Sequence, residues 1–264
     1  MDLLLAGKTA LVTGSTAGIG FAIATELARE GVAVVLNGRS AAGVADAQAR
    51  LLAQLPTANV SGIAADLATA AGCQAVIEAH PQLDILVNNL GIFDPVPFEA
   101  IGDEEWQRFF DTNVMSGVRL SRHYLPLMKA ANWGRIVFIS SESGVNPPTE
   151  MVHYGMSKAA ELSISRGLAQ SAASTGVTVN AVLPGPTRTE GVSEFFAKLA
   201  AEQGIDLAET ERRFFAEARP TSLLKRFIDP TEVAALVAYV CSPRAAATNG
   251  AALRVEGGIL SSMC

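Results

Sequence analysis

Cysteine is scarce. Only Cys73, Cys241 and Cys264 occur in 264 residues, far apart and odd in number. They form neither a disulfide framework nor a metal-ligand cluster, so buried apolar thiols in a reducing compartment are expected, and no metal site. Aromatic residues are few, at 6%. An excess of positive charge is absent: the formal net charge is −6, which argues against a general nucleic-acid binder. No apolar run approaches the roughly 20 residues that span a bilayer. Leu3-Leu4-Leu5-Ala6 is too short for a secretory core and has no basic segment before it. Low-complexity tracts, charge blocks and solenoid repeats are missing too. The expectation is a soluble, cytoplasmic protein that binds neither nucleic acid nor membrane.

What is present is an apolar chain, 49% hydrophobic and 17% charged. That balance suits one large, well-buried domain over 1–264. Short apolar runs alternate with longer stretches of helical spacing. Strands are predicted at Thr9–Val12, Val32–Leu36, Val60–Ala64, Ile85–Val87, Arg135–Ile139, Val177–Leu183 and Ala252–Val255. Helices are predicted at Phe21–Arg29, Ala41–Leu55, Asp103–Ala131 with a break or bend near Asp111, Tyr154–Ser174 and Thr231–Cys241. Near-continuous apolar strands between helices indicate βαβ units, a parallel sheet covered on both faces and a doubly wound α/β fold of Rossmann type with about seven strands. The charged segment 190–225, with Phe195-Phe196 and Phe214-Phe215, interrupts this rhythm. It is expected to be a helical excursion that serves as a substrate lid.

Four clusters carry chemistry. The first is Thr13-Gly14-Ser15-Thr16-Ala17-Gly18-Ile19-Gly20, between a predicted strand and a predicted helix. Glycines permit a tight turn and a close approach of backbone to a pyrophosphate, and the helix N-terminus offers free N–H groups. The second is Asn88-Asn89-Leu90-Gly91, at the end of the fourth strand. The third joins Asn113, Ser141 at a strand end, and Tyr154 with Lys158 four residues later. The Tyr and Lys share a helix face. An ammonium there is expected to pull the phenol down from about 10 toward working pH, so that it can exchange a proton. The fourth is Pro184-Gly185-Pro186-Thr187-Arg188-Thr189, which halts the sixth strand.

Together, from about Lys8 to Gly258, these motifs resemble the short-chain dehydrogenase/reductase family. The glycine turn has that family's T-G-x-x-x-G-x-G spacing. Leu90 departs from the family's N-N-A-G and adds bulk beside the cofactor cleft. The resemblance implies reversible hydride transfer between a nicotinamide cofactor and a carbonyl or secondary alcohol. Ser141 would hold the substrate oxygen, and Tyr154 would act as general acid or base. Lys158 would lower the tyrosine pKa and bind the nicotinamide ribose. Asn113 would place a water. Gly14, Ser15, Thr16, Gly18, Ile19, Gly20, Asn89, Gly91, Pro184, Gly185, Thr187 and Thr189 would line the cofactor, and Asp66-Leu67 would meet the adenine.

Cofactor preference is read after the second strand, at Asn37-Gly38-Arg39-Ser40. No acid stands there to bind a ribose 2′-hydroxyl. Arg39 can fork onto a 2′-phosphate and Ser40 can add a hydroxyl, which favours NADP(H) over NAD(H). Phe93, Ser143, Met151, His153, Phe195 and Phe196 are the candidate substrate residues and suggest a largely apolar pocket for a small-molecule carbonyl or alcohol. Two alternatives stand. One is a 3-oxoacyl-[acyl-carrier-protein] reductase, with Arg119 and Arg122 as part of a docking patch. The other is a non-catalytic NADP-binding sensor or scaffold. The resemblance also implies a homotetramer or homodimer paired through the two long helices, with the tail Gly257–Cys264 at another subunit contact.

Overall fold

A computed structural model describes residues 1–263. Seven parallel strands form one sheet in the order β3-β2-β1-β4-β5-β6-β7. They are β1 (Thr9–Val12), β2 (Ala33–Gly38), β3 (Val60–Ala64), β4 (Ile85–Asn88), β5 (Gly134–Ile139), β6 (Val177–Pro184) and β7 (Ala252–Val255). The order reverses between β1 and β4, which opens a crevice above their carboxyl ends.

The apolar runs are continuous because alternate residues feed two different cores. Ala10, Val12, Val34, Leu36, Ile85, Val87 and Val137 point into one, where they meet α1 (Gly18–Arg29), α2 (Ala41–Gln54) and α9 (Pro230–Cys241). Leu11, Val35, Leu86, Ile136 and Phe138 point into the other, under α3 (Ala70–Ala79), α5 (Ser116–Ala130) and α6 (Val152–Ser171). The period of two sets which face each side chain takes. At the sheet edge, β3 leaves Ser61, Gly62 and Ala64 exposed, so burial on both faces holds for the inner strands and not there.

One helix lies outside the sequence expectation, and the expected break in another takes a particular form. Helix α3 has no strong amphipathic pattern, yet it forms. Thr69 caps it by accepting from Gly72 N–H at 3.0 Å, and Gly72 is needed because a Cβ there would run into the Asp66 carbonyl. The stretch 103–131 is not one helix. α4 (Asp103–Phe109) passes through a π-helical turn, Phe110–Met115, into α5. That turn contains Asn113 and marks the expected bend near Asp111. The segment after β6 folds as α7 (Glu190–Gln203) and α8 (Leu207–Glu217). These enclose a small core of Phe196, Phe215 and Phe227, with Val192 and Phe214 packed on it. Among the described residues, no helix is long and apolar enough to cross a membrane.

Candidate active site

A cleft of about 430 Å³ lies above the carboxyl ends of β1, β4, β5 and β6. Its first wall is the turn after β1. Gly14 (φ +61°) and Gly18 (φ +56°) adopt the left-handed backbone that glycine tolerates. A Cβ on Gly20 would sit 2.5 Å from the Gly14 carbonyl oxygen. Asn37 pins the turn from β2: its Oδ1 accepts from Gly14 N–H at 3.2 Å, and its Nδ2 donates to the Ala65 carbonyl at 3.2 Å. Helix α1 begins with no side-chain cap. The Gly18 N–H instead donates to the Glu190 carboxylate, at 2.9 Å. An uncapped helix start that already holds one anionic group fits the pyrophosphate of a dinucleotide.

The second wall comes from β4. Thr13 Oγ1 accepts from the backbone N–H groups of Asn89 and Leu90, both at 2.9 Å. Asn89 Nδ2 donates back to the carbonyls of Thr13 (2.9 Å) and Gly14 (3.1 Å). Leu90 does not enter the cleft. Its side chain packs on the second core, and its Cα would lie 3.1 Å from a Cβ placed on Gly14. The bulk that departs from the family pattern is absorbed behind the turn.

Ser141, Tyr154 and Lys158 meet at the floor. Ser141 Oγ accepts from Ser143 N–H at 3.1 Å and donates to the Glu142 carboxylate. The Tyr154 hydroxyl lines the same cleft, close enough for Ser141 to lower its pKa. Asn113 lies just behind: its Oδ1 accepts from Ile92 N–H at 2.8 Å and its Nδ2 donates to Ser157 Oγ at 2.9 Å. The π turn is what lets this buried amide reach across to α6. A Cβ on Gly91 would stand 3.3 Å from Lys158 Nζ and 3.7 Å from Asn113 Oδ1, so a larger residue there would press on the lysine ammonium.

The electrostatics differ from the sequence expectation. Burial holds the Tyr154 hydroxyl well above the ordinary tyrosine range, and the charges of Glu142 and Glu161 push the same way. The hydrogen bond to Ser141 and the Arg219 guanidinium pull against this. The Lys158 ammonium donates to the Glu161 carboxylate at 3.0 Å and to the Ile139 carbonyl at 2.8 Å, and it stands 5.8 Å from the centroid of the Tyr154 ring. Burial pushes the Glu161 carboxyl up to about 7, with Lys158 pulling it down.

The remaining lining residues run from Gly14, Gly18, Ile19 and Gly20 through Pro184, Gly185, Thr187 and Thr189 to Phe93, Ser143, Met151, Phe195 and Phe196. Several predicted residues lie elsewhere. Ser15 is fully buried, donating to the Val12 carbonyl at 2.7 Å, so its side chain braces the turn rather than facing the cleft. Thr16 packs against Gly38, where a Cβ would come within 2.5 Å of Thr16 Cγ2. Arg39 is exposed at the end of β2, and Ser40 caps α2 by accepting from Gly43 N–H at 3.2 Å. Asp66 is exposed, whereas the Leu67 side chain is buried in the second core and cannot meet an adenine.

His153 is the clear correction. It is wholly buried, with its ring 4.0 Å from that of Phe109 and 6.0 Å from that of Trp106. Neighbours on a helix point about 100° apart. Tyr154 faces the cleft, so His153 faces α4. Burial holds its pKa below the usual histidine value.

The short chain dehydrogenase family profile matches residues 8–200. The chain is 49% identical over 263 residues to YvaG, an oxidoreductase of Bacillus subtilis (strain 168), with 100% of both covered. The chain belongs to the short-chain dehydrogenase family. Among solved structures of short-chain dehydrogenases, L-sorbose reductase from Gluconobacter frateurii, complexed with NADPH and L-sorbose, matches with a TM-score of 0.92. It is 32% identical, and 100% of each chain is covered. The 3-oxoacyl-[acyl-carrier-protein] reductase FabG of Vibrio cholerae is 33% identical, covering 97% of this chain and 98% of its own.

Four charged residues of this short-chain dehydrogenase escape the sequence reading. Glu142 and Arg219 stand in the cleft wall, joined at 3.3 Å, with Glu150 3.9 Å from the same guanidinium. Glu142 directly follows Ser141 and was readable from that adjacency. Arg219 lies 77 positions away from Glu142 in sequence, so only the return of the chain after α8 brings it in. Glu161 was readable too, at three residues beyond Lys158. An acid at that helical spacing is ordinarily a solvated partner, and here it is buried.

Proposed function

We propose that this protein is an NADP(H)-dependent reductase of hydroxylated ketones, running hydride transfer reversibly between the nicotinamide and a carbonyl or secondary alcohol. The observation that carries the reading is the convergence of the Ser141 and Tyr154 hydroxyls beside a charged pair, Glu142–Arg219, in an otherwise apolar cleft. The nicotinamide supplies or takes the hydride. Tyr154 gives its proton to the oxygen of the ketone, and burial keeps that proton on the tyrosine until a substrate oxygen is in place. Ser141 turns its proton from Glu142 to that oxygen. The residues toward the cofactor are the Gly14–Gly20 turn for the pyrophosphate, Arg39 for a 2′-phosphate and Lys158 for the ribose.

The corner at Glu142 selects the substrate. Glu142 Oε2 accepts from Ser141, from Ser143 N–H at 2.7 Å and from Ser143 Oγ at 3.0 Å, while Oε1 takes only Arg219 Nε at 3.3 Å. An acceptor and a donor side by side match a hydroxyl group. One guanidinium faced by two carboxylates does not favour a substrate carboxylate. The similarity to L-sorbose reductase supports a polyhydroxylated ketone. The pocket is therefore more polar than the phenylalanines alone imply. Phe195, half exposed, and Phe196, buried, place α7 over the cleft, which supports segment 190–225 as its lid.

The 3-oxoacyl thioester reading is weaker. Arg119 is spent on the Ala68 carbonyl at 2.9 Å and on Asp111 at 3.4 Å, which leaves Arg122 exposed. Assembly as a homotetramer or homodimer through α4–α5 and α6 is part of the proposal, with a cytoplasmic location. Partial exposure of Phe110 and Leu127 on the first of these supports it. Sedimentation at micromolar concentration checks it, and a monomer would refute it.

The test is NADPH and NADH oxidation against ketoses, their deoxy analogues, keto acids and 3-oxoacyl thioesters, with Tyr154→Phe as control. Turnover of hydroxyketones with NADPH is expected, and the variant should lose about a thousandfold or more in kcat while still binding NADPH. Substantial turnover by the variant would sink the Tyr154 assignment. NADPH binding without turnover of any ketone would favour a sensor.

A further inference from the structure

Arg50 sits well along α2, and its guanidinium rests on the dinucleotide turn. Its Nη2 donates to the Thr16 carbonyl. The guanidinium carbon lies 4.5 Å from the centroid of the Phe21 ring, near the start of α1. One turn back along α2, the Asp46 carboxylate accepts from Arg50 Nε at 2.9 Å. Thr16 also meets the end of β2, where a Cβ on Gly38 would come within 2.5 Å of Thr16 Cγ2. Arg39 follows Gly38 directly, and neighbouring Cα atoms are about 3.8 Å apart. One threonine of the turn therefore touches Arg50 through its carbonyl and the base of Arg39 through its side chain. A guanidinium has five N–H donors. Arg50 spends one on Asp46 and one on Thr16, and the rest have no acceptor among the described residues. Its side chain is 40% exposed, so those donors are open to an anion.

We propose that Arg50 is a second cation for the 2′-phosphate of NADP(H), joining Arg39 from the other side of Thr16. A phosphate monoester carries a charge of about −1.5 to −2 at neutral pH, and Arg39 alone brings a single positive charge. Two carboxylates border the same corner. Asp46 is bonded to Arg50. Asp66 stands one residue past Ala65, whose N–H donates to the Gly38 carbonyl at 2.9 Å. With Arg39 by itself, the corner would be net negative and would repel the phosphate. Arg50 brings it to neutrality and adds a planar fork that matches phosphate oxygens. The guanidinium has only to exchange a neutral carbonyl for a charged oxygen, which is the stronger acceptor.

This inference rests on the NADP(H) preference proposed above, and its test separates the two. Calorimetric titration follows the binding of NADPH and NADH to the full chain, and of adenosine 2′,5′-bisphosphate and AMP as fragments that lack the nicotinamide. Arg50→Gln removes the charge and keeps an amide that can donate to the Thr16 carbonyl. It should weaken NADPH and the bisphosphate by about threefold to tenfold, and change NADH and AMP by less than about twofold. Arg50→Lys keeps the charge without the fork and should recover part of the loss. Added salt should cost the wild-type protein more NADPH affinity than it costs Arg50→Gln. A residue that only braces the turn would weaken all these ligands together and lower the melting temperature. Equal losses across the ligands, or no loss for any, overturn the proposal while Arg39→Ala still discriminates between the cofactors. If wild-type protein binds NADPH no better than NADH and Arg39→Ala changes neither, the cofactor preference itself fails, and the role of Arg50 fails with it.

Discussion

Gly38 and Arg39 carry the proposed preference for NADP(H). A Cβ at position 38 would come to 2.5 Å from Thr16 Cγ2, so an acid there would require the Thr16 side chain to shift. Arg39 projects into solvent at the same corner, free to fork onto a phosphate. Arg39→Ala should therefore weaken NADPH binding by about tenfold or more, the order of one charge-assisted contact, and leave NADH binding unchanged. Fluorescence titration of each cofactor checks this, and an equal loss for both would refute the preference. At this scale the sequence was a good guide where spacing along one helix settles the geometry. Tyr154 and Lys158 do share a face. It was a poor guide to which partner each side chain prefers. Lys158 has a choice between the phenol and a carboxylate one turn away, and the charge of the carboxylate makes it the stronger acceptor. His153 was a candidate pocket residue, and its divergence from Tyr154 along the helix sends it to α4 instead.

At the scale of elements, the strands and most helices were legible because two cores impose a period of two on the strands and a stripe on the helices. Two places were not. Helix α3 depends on the Thr69 cap and on Gly72 lying against the Asp66 carbonyl, and neither leaves a periodic signal. The π turn at Phe110–Met115 inserts one residue more per turn than an α-helix and swings Asn113 toward Ser157, which no repeat in the sequence announces. The start of α7 meets the start of α1 through Glu190 and the Gly18 N–H, at 2.9 Å. That carboxylate occupies the donors that the pyrophosphate would use, and it adds a like charge beside a dianionic group. Glu190→Gln should then bind NADPH about threefold to tenfold more tightly, an effect of about 1 kcal/mol. Calorimetric titration measures it. Unchanged or weaker binding would show that the α7–α1 contact does not compete with the cofactor.

For the whole molecule, the doubly wound sheet was readable from the alternation of elements, whereas the switch point between β1 and β4 that places the cleft depends on a strand order that leaves no mark on the apolar runs. What remained hidden is the interior cost of a neutral histidine. Neither ring nitrogen of His153 has a hydrogen-bond partner among the described residues, and the ring is packed between Phe109 and Trp106. An unsatisfied buried polar group costs about 1–3 kcal/mol. His153→Leu, which removes both nitrogens and keeps an apolar contact, should match or exceed the wild-type melting temperature at neutral pH. The pH dependence separates this from simple repacking. Burial lowers the folded-state pKa of His153, so the unfolded chain binds a proton that the folded chain refuses. Its stability contribution is complete above the unfolded value, about 6.5, and is lost as the pH falls through that value toward the lower folded one. Glu161 runs the other way over part of this window, because its folded pKa is raised to about 7. The comparison must therefore be between variant and wild type at each pH, where the Glu161 contribution cancels. The melting-temperature advantage of His153→Leu should widen from about pH 7.5 down to about pH 5.5. A constant difference across that range would mean that His153 does not refuse the proton, and that its ring nitrogens are satisfied in solution.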